Sequence, residues 1–347
     1  MKRMKGIRLQ ILISLLIFLV IVSTVAITWT ISMSSYKKNS TENHMINNLN
    51  YVEKLSSMTE HHLNQMLQTL ISIAHFAGTY DISQEDLDGW FLQNRKNFNS
   101  TFITDEKGII QFISPEKIEF EDGIVVTEGA QLTKHTMERL KEEKQAFITE
   151  PYRSVSGHLI ILLVAPIVDN DTGTFKGAIS GSIHLERDNV LVDILGDHRY
   201  DESTYVYVVD RNGNLIYHPV AERIWENVLE NEVVQKVING ENGSQVVINT
   251  ENREFLASYA YVPSVGWGIV SQTETMKVNE PVSTLFWRIV SLTIPFLIIV
   301  LILSGWLVST ITKPINTLAH YSEQMIHKNS FITDIKLPHL VICNAIR

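Results

Sequence analysis

Phe102–Phe112 reads FITDEKGIIQF and Tyr205–Pro219 reads YVYVVDRNGNLIYHP. Each sets an Asp, two polar residues and a Gly between two apolar runs of period two. The Asp carboxylate accepts hydrogen bonds from backbone amides ahead of it and the Gly takes φ above zero, so each stretch is predicted to be a strand, a tight turn and a second strand. A single hairpin of this kind is common in proteins. Here the turn aspartates, Asp105 and Asp210, lie 105 residues apart, and each hairpin is followed by a helical or looped insert and more strands. In the first copy these are His158–Val168 and Lys176–Leu185, joined by Asp169-Asn170-Asp171-Thr172-Gly173. In the second they are Ser244–Asn249, Phe255–Tyr261 and Trp267–Gln272. The chain is therefore expected to hold a duplicated α+β unit, two stacked modules with antiparallel sheets, the first ending near Asp197 and the second running from about Ser203 to Glu274.

Upstream of the first hairpin the period is 3.6. Leu49, Val52, Leu55, Met58, Leu63, Met66, Leu67, Leu70 and Ala74 recur mostly at steps of three and four between Ser34 and Ala77, with neither Pro nor Gly before Gly78. That pattern predicts one long amphipathic helix. Asp81–Phe98 reads as a shorter helix, with Ser83 as N-cap and Asp86 at the reciprocal position of a capping box.

The two ends of the chain have a different character. No charged residue occurs from Leu9 through Tyr36 or from Ile289 through Thr312, and each run exceeds the ~20 residues that a helix needs to cross ~30 Å of hydrocarbon. Two membrane spans are expected. A cleaved signal peptide is the alternative for the first, but its apolar core is usually about 7–15 residues long, and no small-residue cleavage site follows closely. Lys2, Arg3, Lys5 and Arg8 put +4 before the first span and the residues after the second carry +2, so both termini are expected in the cytoplasm. With −9 over all 347 residues, 45% of them hydrophobic, and +6 on the flanks, the segment between the spans carries −15. Such acidity argues against a nucleic-acid partner, which demands clustered cations. The lone cysteine, Cys343, excludes an intrachain disulfide and a zinc site built on two thiolates.

No Gly-x-Ser-x-Gly elbow, P-loop, His-Glu-x-x-His or Gly-x-Gly-x-x-Gly occurs, so no catalytic residue, cofactor or metal is expected. His61-His62 point to different helix faces and lack a carboxylate at ligand spacing. Asp210-Arg211-Asn212-Gly213 opens like a calcium loop but lacks the later ligands and a closing Glu at the twelfth position.

A span, a long helix, two antiparallel-sheet modules, a second span and a basic, Pro-containing helix start together resemble the double Cache sensor region of bacterial chemoreceptors, sensor histidine kinases and membrane diguanylate cyclases. The likeness rests on Glu150-Pro151-Tyr152-Arg153, the apolar strand Leu159–Val164, Ala165-Pro166-Ile167-Val168-Asp169 and Phe175-Lys176-Gly177-Ala178-Ile179. In the second module it rests on Val208-Val209-Asp210-Arg211-Asn212-Gly213 and His218-Pro219. Ile311–Leu318, ITKPINTL, resembles the opening of a HAMP linker, and Ile311, Ile315, Leu318, Ser322 and Met325 keep the four-three spacing of a coiled-coil seam. A plain stop-transfer tail is the alternative there.

The layout this resemblance implies is a cytoplasmic N-terminus (1–8), a first transmembrane helix (9–33) and an extracellular double Cache domain (34–280). The last divides into a long helix with the membrane-distal module (34–197) and a membrane-proximal module (198–280). A second transmembrane helix (286–310), a partial HAMP-like segment (311–330) and an unassigned tail (331–347) follow. The resemblance further implies PAS-like modules outside a bacterial plasma membrane, a homodimer to bury the seam, and a small extracellular ligand between the distal sheet and the facing segment Glu116–Ile148. Candidate ligand-binding residues are Tyr152, Arg153, Asp169, Ser182 and His184. Arg153 is read two ways, as a carboxylate clamp or as a solvated edge charge. The family's amino-acid-binding pattern is not matched: no Arg-x-Trp-Tyr precedes Tyr152, and Ser182 stands where its closing Asp is expected. The expected function is transmembrane sensing of a small molecule, with an interaction-only ectodomain and a truncated cyclase, chemoreceptor or kinase as alternatives. Only 35 residues follow Thr312, against the ~100 or more that a catalytic domain usually needs, so no kinase or cyclase activity is expected of this chain.

Overall fold

Helix α1 runs unbroken for 71 residues, Leu9–Thr79. The computed structural model describes residues 9–119, 125–154, 157–186, 189–195, 204–248 and 253–328; the expected segments 1–8 and 331–347, with Cys343, lie outside them. The chain divides into two units, Ser40–Val278 and a second made of Met1–Asn39 with Asn279–Arg347.

In the larger unit, Val52, Leu55, Thr59, Leu63, Met66, Leu70, Ala74 and Ala77 of α1 are buried. Their steps of three and four form one stripe along the helix. Met58 departs from the predicted stripe: it is 40% exposed, and Thr59 takes the inward position. Helix α2 (Gln84–Asn94) starts as predicted, with Ser83 and Asp86 forming a reciprocal capping box.

The first sheet is built from β1 (Ser100–Asp105) and β2 (Ile110–Ser114), and from elements that follow a small ribbon of β3 (Ile118–Glu119) and β4 (Val125–Val126) and helix α3 (Lys134–Glu143). These are β5 (Phe147–Ile148), β6 (Tyr152–Arg153), β7 (Leu159–Val168) and β8 (Phe175–His184). The order is β2-β1-β8-β7-β5, with β6 also on β7, all antiparallel. After α4 (Val190–Leu195), the second sheet comprises β9 (Thr204–Val209), β10 (Leu215–Tyr217), β11 (Gly243–Ile248), β12 (Glu254–Val262) and β13 (Trp267–Glu274), with α5 (Glu232–Ile238) between β10 and β11. Its order is β10-β9-β13-β12-β11. Each module thus pairs the first strand of its hairpin with its own last strand, and that strand with the one before it.

The turns are equally alike. Asp105 Oδ1 accepts from the amides of Lys107 (2.8 Å) and Ile109 (2.9 Å), and Asp210 Oδ1 from those of Asn212 (2.9 Å) and Asn214 (2.8 Å). Gly108 and Gly213 sit at φ 83° and 79°, a region that a residue without Cβ enters at no steric cost.

One continuous core joins both sheets to α1. It contains Leu63, Met66 and Leu70 of α1, Ile161, Leu163, Ile179 and Ile183 of the first sheet, Leu191 and Ile194 of α4, and Val206, Val208, Trp267 and Ile269 of the second sheet. The other face of each sheet is covered by that module's own insert. Met137 and Leu140 of α3 lie over Phe102, Ile160 and Leu162, whereas Val233, Val234 and Val237 of α5 lie over Tyr207, Val209 and Val270.

The second unit contains the start of α1 and most of α6 (Thr275–Lys328), both long and apolar enough to cross a membrane by length and composition. Trp29 stacks on Phe286 with ring centroids 4.9 Å apart. Leu19, Ile31, Phe296 and Ile302 are exposed.

Candidate functional site

The insert-covered face of the first sheet is a grid set by register. Antiparallel pairing places Tyr152 of β6 opposite Ile160 of β7, and Ile160 opposite His184 of β8. The next row runs Leu162, Ser182, Ser100, and the one after it Val164, Ser180, Phe102, Ile113. Because successive side chains of a strand alternate faces, Ile161, Leu163 and Ile183 between these rows point the other way, into the core shared with α1.

Over these rows lies a cavity of about 90 Å³. Its floor comes from Ser100, Phe102, Tyr152, Ile160, Leu162, Ser182 and His184, and its other walls include Ile110, Ile113, Val126 and the loop Ala130–Thr133. That loop is fastened to the first hairpin: the Ile110 amide donates to Ala130 O (2.8 Å) and the Leu132 amide to Gly108 O (2.9 Å). Thr133 then caps α3, its side chain accepting from the Thr136 amide. On the floor the Ser100 and Ser182 hydroxyls are 2.7 Å apart, and His184 Nε2 is 3.4 Å from Ser182 Oγ. The His184 amide donates to Asn99 Oδ1 at 2.8 Å, which fixes the backbone beneath the imidazole. Burial pushes the Tyr152 phenol up to about 12, so it stays a neutral donor and acceptor.

Three of the five residues singled out from the sequence, Tyr152, Ser182 and His184, line this cavity. Arg153 follows Tyr152 and so points to the other side of the strand. Its Nη1 donates to Gly157 O (2.7 Å) and pairs with Glu186 Oε1 (3.3 Å) on a half-exposed edge. Asp169 lies in the β7–β8 turn, where Oδ1 accepts from the Thr172 amide (2.8 Å) and Oδ2 pairs with Lys176 (2.8 Å). Sequence reasoning missed Ser100 and Phe102, whereas the Ala130–Thr133 loop falls within the facing segment Glu116–Ile148. Period-two alternation puts Ser100 and Phe102 on one face, but only strand pairing tells which face that is.

The same position in the second module is filled. Asp105 and Asp210 correspond, so Ser100 matches Tyr205 and Phe102 matches Tyr207. Where Ser100 pairs with Ser182, Tyr205 pairs with Gln272. The Tyr205 hydroxyl donates to Gln272 Oε1 (2.7 Å), Gln272 Nε2 donates to the Tyr207 hydroxyl (3.3 Å), and His218 packs edge-on against Tyr205. A serine pair leaves space; a tyrosine and a glutamine fill it.

A broader groove of about 570 Å³ runs along α1 past His61, His62 and Gln65 to Ser72, with Asn97 opposite. It is open to solvent and polar, and lacks the enclosure that strips water from a ligand. Among the described residues no group of three or more His, Cys, Asp or Glu is placed to hold a metal ion.

Tandem antiparallel modules on one long helix, one of them with a loop-covered cavity, define the class of double-module sensor domains. A family model described as Cache domain matches residues 31–282, and the chain belongs to that family, in its double form. The extracellular domain of the candidate histidine kinase mmHK1S-Z3 is 16% identical with a TM-score of 0.53, over 72% of this chain and 99% of its own. An extracellular ligand-binding receptor from Desulfohalobium retbaense is 18% identical with a TM-score of 0.52, over 64% of this chain and 39% of that receptor's length. The ligand-binding domain of the amino acid chemoreceptor PctC from Pseudomonas aeruginosa, in complex with GABA, is 18% identical with a TM-score of 0.49, over 66% and 99% of the two chains. At these identities the first two likenesses speak to fold alone. No curated protein matches the chain by sequence.

Proposed function

We propose that this chain is a membrane-anchored receptor that holds a small extracellular molecule in the distal cavity and relays its presence along its helices to the cytoplasm. The observation that carries this is the two-faced sheet. Ser182 and His184 floor the cavity while Ile183 between them sits in the core with α1, so a ligand that shifts β8 also shifts the packing of the stalk helix. Packed helices answer such shifts by small discrete translations or rotations.

The membrane reading is supported by α6. Trp287 and Trp306 are both exposed and lie 19 residues apart, with Arg288, beside Trp287, the one charge between them. At ~1.5 Å per residue that is ~28 Å, close to the ~30 Å between the two aromatic belts of a bilayer. Flanking charges of +4 and +2 favour both termini on the cytoplasmic side. Ile311, Ile315 and Leu318 are exposed on α6 at seam spacing, which favours a homodimer that covers them.

A membrane-impermeant thiol reagent on intact cells tests the arrangement, in a Cys343→Ser background. Glu241→Cys is expected to label in whole cells and Lys313→Cys only after lysis; the reverse pattern sinks the topology. Oxidative cross-linking of Ile315→Cys chains tests the seam, and purely monomeric product in membranes would remove the dimer.

A further inference from the structure

We infer that the distal cavity takes an uncharged molecule of about three to five non-hydrogen atoms, with an apolar body and one polar head, and rejects carboxylates, ammonium ions and amino acids. This rests on the sensor reading above and narrows it to a ligand class, short amides, alcohols and ketones being its members.

Size is the first argument. A cavity of about 90 Å³ is smaller than the ~150 Å³ that admits benzene. Charge is the second. Among the described residues that line the cavity there is no Asp, Glu, Lys or Arg. Arg153, next in sequence to Tyr152, is committed outside the cavity to Gly157 O and Glu186. An ion moved from water into such a site loses hydration and meets no charged side chain among the described lining residues, a cost that hydrogen bonds from hydroxyls do not offset. The arrangement of polar groups is the third. The hydroxyls of Ser100 and Ser182 and the His184 imidazole share the floor with the Tyr152 side chain, while Phe102 and Leu162 beside them are apolar. A single carbonyl, amide or hydroxyl facing that floor finds donors and acceptors there, and its hydrocarbon part meets carbon. The second module shows what closes the site, since a tyrosine and a glutamine stand where Ser100 and Ser182 leave room.

The test is a titration of the full chain in lipid nanodiscs at pH 8, above the ordinary histidine range, with four near-isosteric probes: acetamide, acetate, ethylammonium and glycine. Molecules this small bind weakly, so the titrations run into the millimolar range, read by saturation-transfer NMR and thermal shift. Acetamide is expected to bind at least about tenfold more tightly than any charged probe, and Ser100→Tyr is expected to abolish its binding. If Ser100→Tyr does not fold, Ser182→Val, which replaces one floor hydroxyl with a methyl and adds a second methyl, is expected to weaken binding severalfold. Acetate, ethylammonium or glycine binding as tightly as acetamide, and lost in the same variants, overturns the ligand class and leaves the cavity as the sensing site. Silence from all four probes, or acetamide binding that survives both substitutions, overturns the class and the cavity assignment together.

Discussion

Thr59 occupies an inward position of α1 at 1% exposure, and its Oγ1 has no hydrogen-bond partner among the described residues. An unsatisfied buried hydroxyl costs about 1–3 kcal/mol, and valine offers nearly the same shape with the same branching at Cβ. Thr59→Val is therefore expected to raise the melting temperature of the chain; a fall would show the hydroxyl to be bonded. Asp169 is the opposite case, a carboxylate satisfied on every side. Lys176, then the backbone and hydroxyl donors of Thr172, hold its carboxyl well below the usual range. A group whose pKa is depressed by folding contributes stability above its unfolded value of about 3.9 and loses that contribution as the pH falls further. Asp169→Asn is expected to lower the melting temperature at neutral pH, with the gap from the parent chain narrowing below about pH 4. A gap that stays constant into strong acid would remove the carboxylate from this role.

At the scale of elements, the β7–β8 turn terminates α1. The last carbonyls of a helix lack internal partners, and here the turn supplies them. Asn170 Nδ2 donates to His75 O (3.0 Å) and to Thr79 Oγ1, and Lys176 Nζ donates to Gly78 O (3.3 Å). The approach is close enough that a Cβ at Gly78 would lie 2.2 Å from Val168 O. Backbone cannot yield there as a flexible side chain would. Gly78→Ala is expected to cost about 1–3 kcal/mol, visible as a lower melting temperature with the helix content retained. A variant as stable as the parent would mean that the turn does not seat on the helix end. The lone Asp169-Asn170-Asp171-Thr172-Gly173 turn was legible as a turn from its residues; that it caps a helix 91 residues upstream was not.

For the whole molecule, the question is what couples the two modules. Glu150 Oε1 and Arg211 Nε pair across them at 2.8 Å, but both side chains are about half exposed, and such pairs are worth about 0–1 kcal/mol. Burial even holds the Glu150 carboxyl above its usual range despite the guanidinium beside it. The shared core is the stronger link, because Leu70 belongs to one cluster with residues of β8 and β13. Leu70→Ala is expected to cost about 2–5 kcal/mol and to raise amide hydrogen exchange in β8 and β13 together, whereas Arg211→Ala should leave exchange in both within about 1 kcal/mol of the parent. Exchange that rises in β8 alone after Leu70→Ala would show the modules to be independent.

What the sequence by itself determined is everything governed by short-range periodicity and turn chemistry. The stripe of α1, the Ser83 cap and the two Asp-x-x-Gly hairpins follow from residues no more than a few positions apart, and each was readable for that reason. Met58 and Thr59 mark the edge of that legibility, since apolarity alone picked the wrong member of an adjacent pair. Tertiary structure decided where the cavity lies. Tyr152 and Arg153 look like one polar step in the sequence, yet the pleat turns them to opposite faces. The two hairpins look interchangeable, yet one sets a serine pair beneath a cavity and the other a hydrogen-bonded tyrosine and glutamine at the matching position. The difference rests on which residue stands across the sheet from Ser100 and which from Tyr205, partners 82 and 67 positions away. Register between distant strands is set by burial of whole sheet faces, a property of the assembled chain that no local pattern contains.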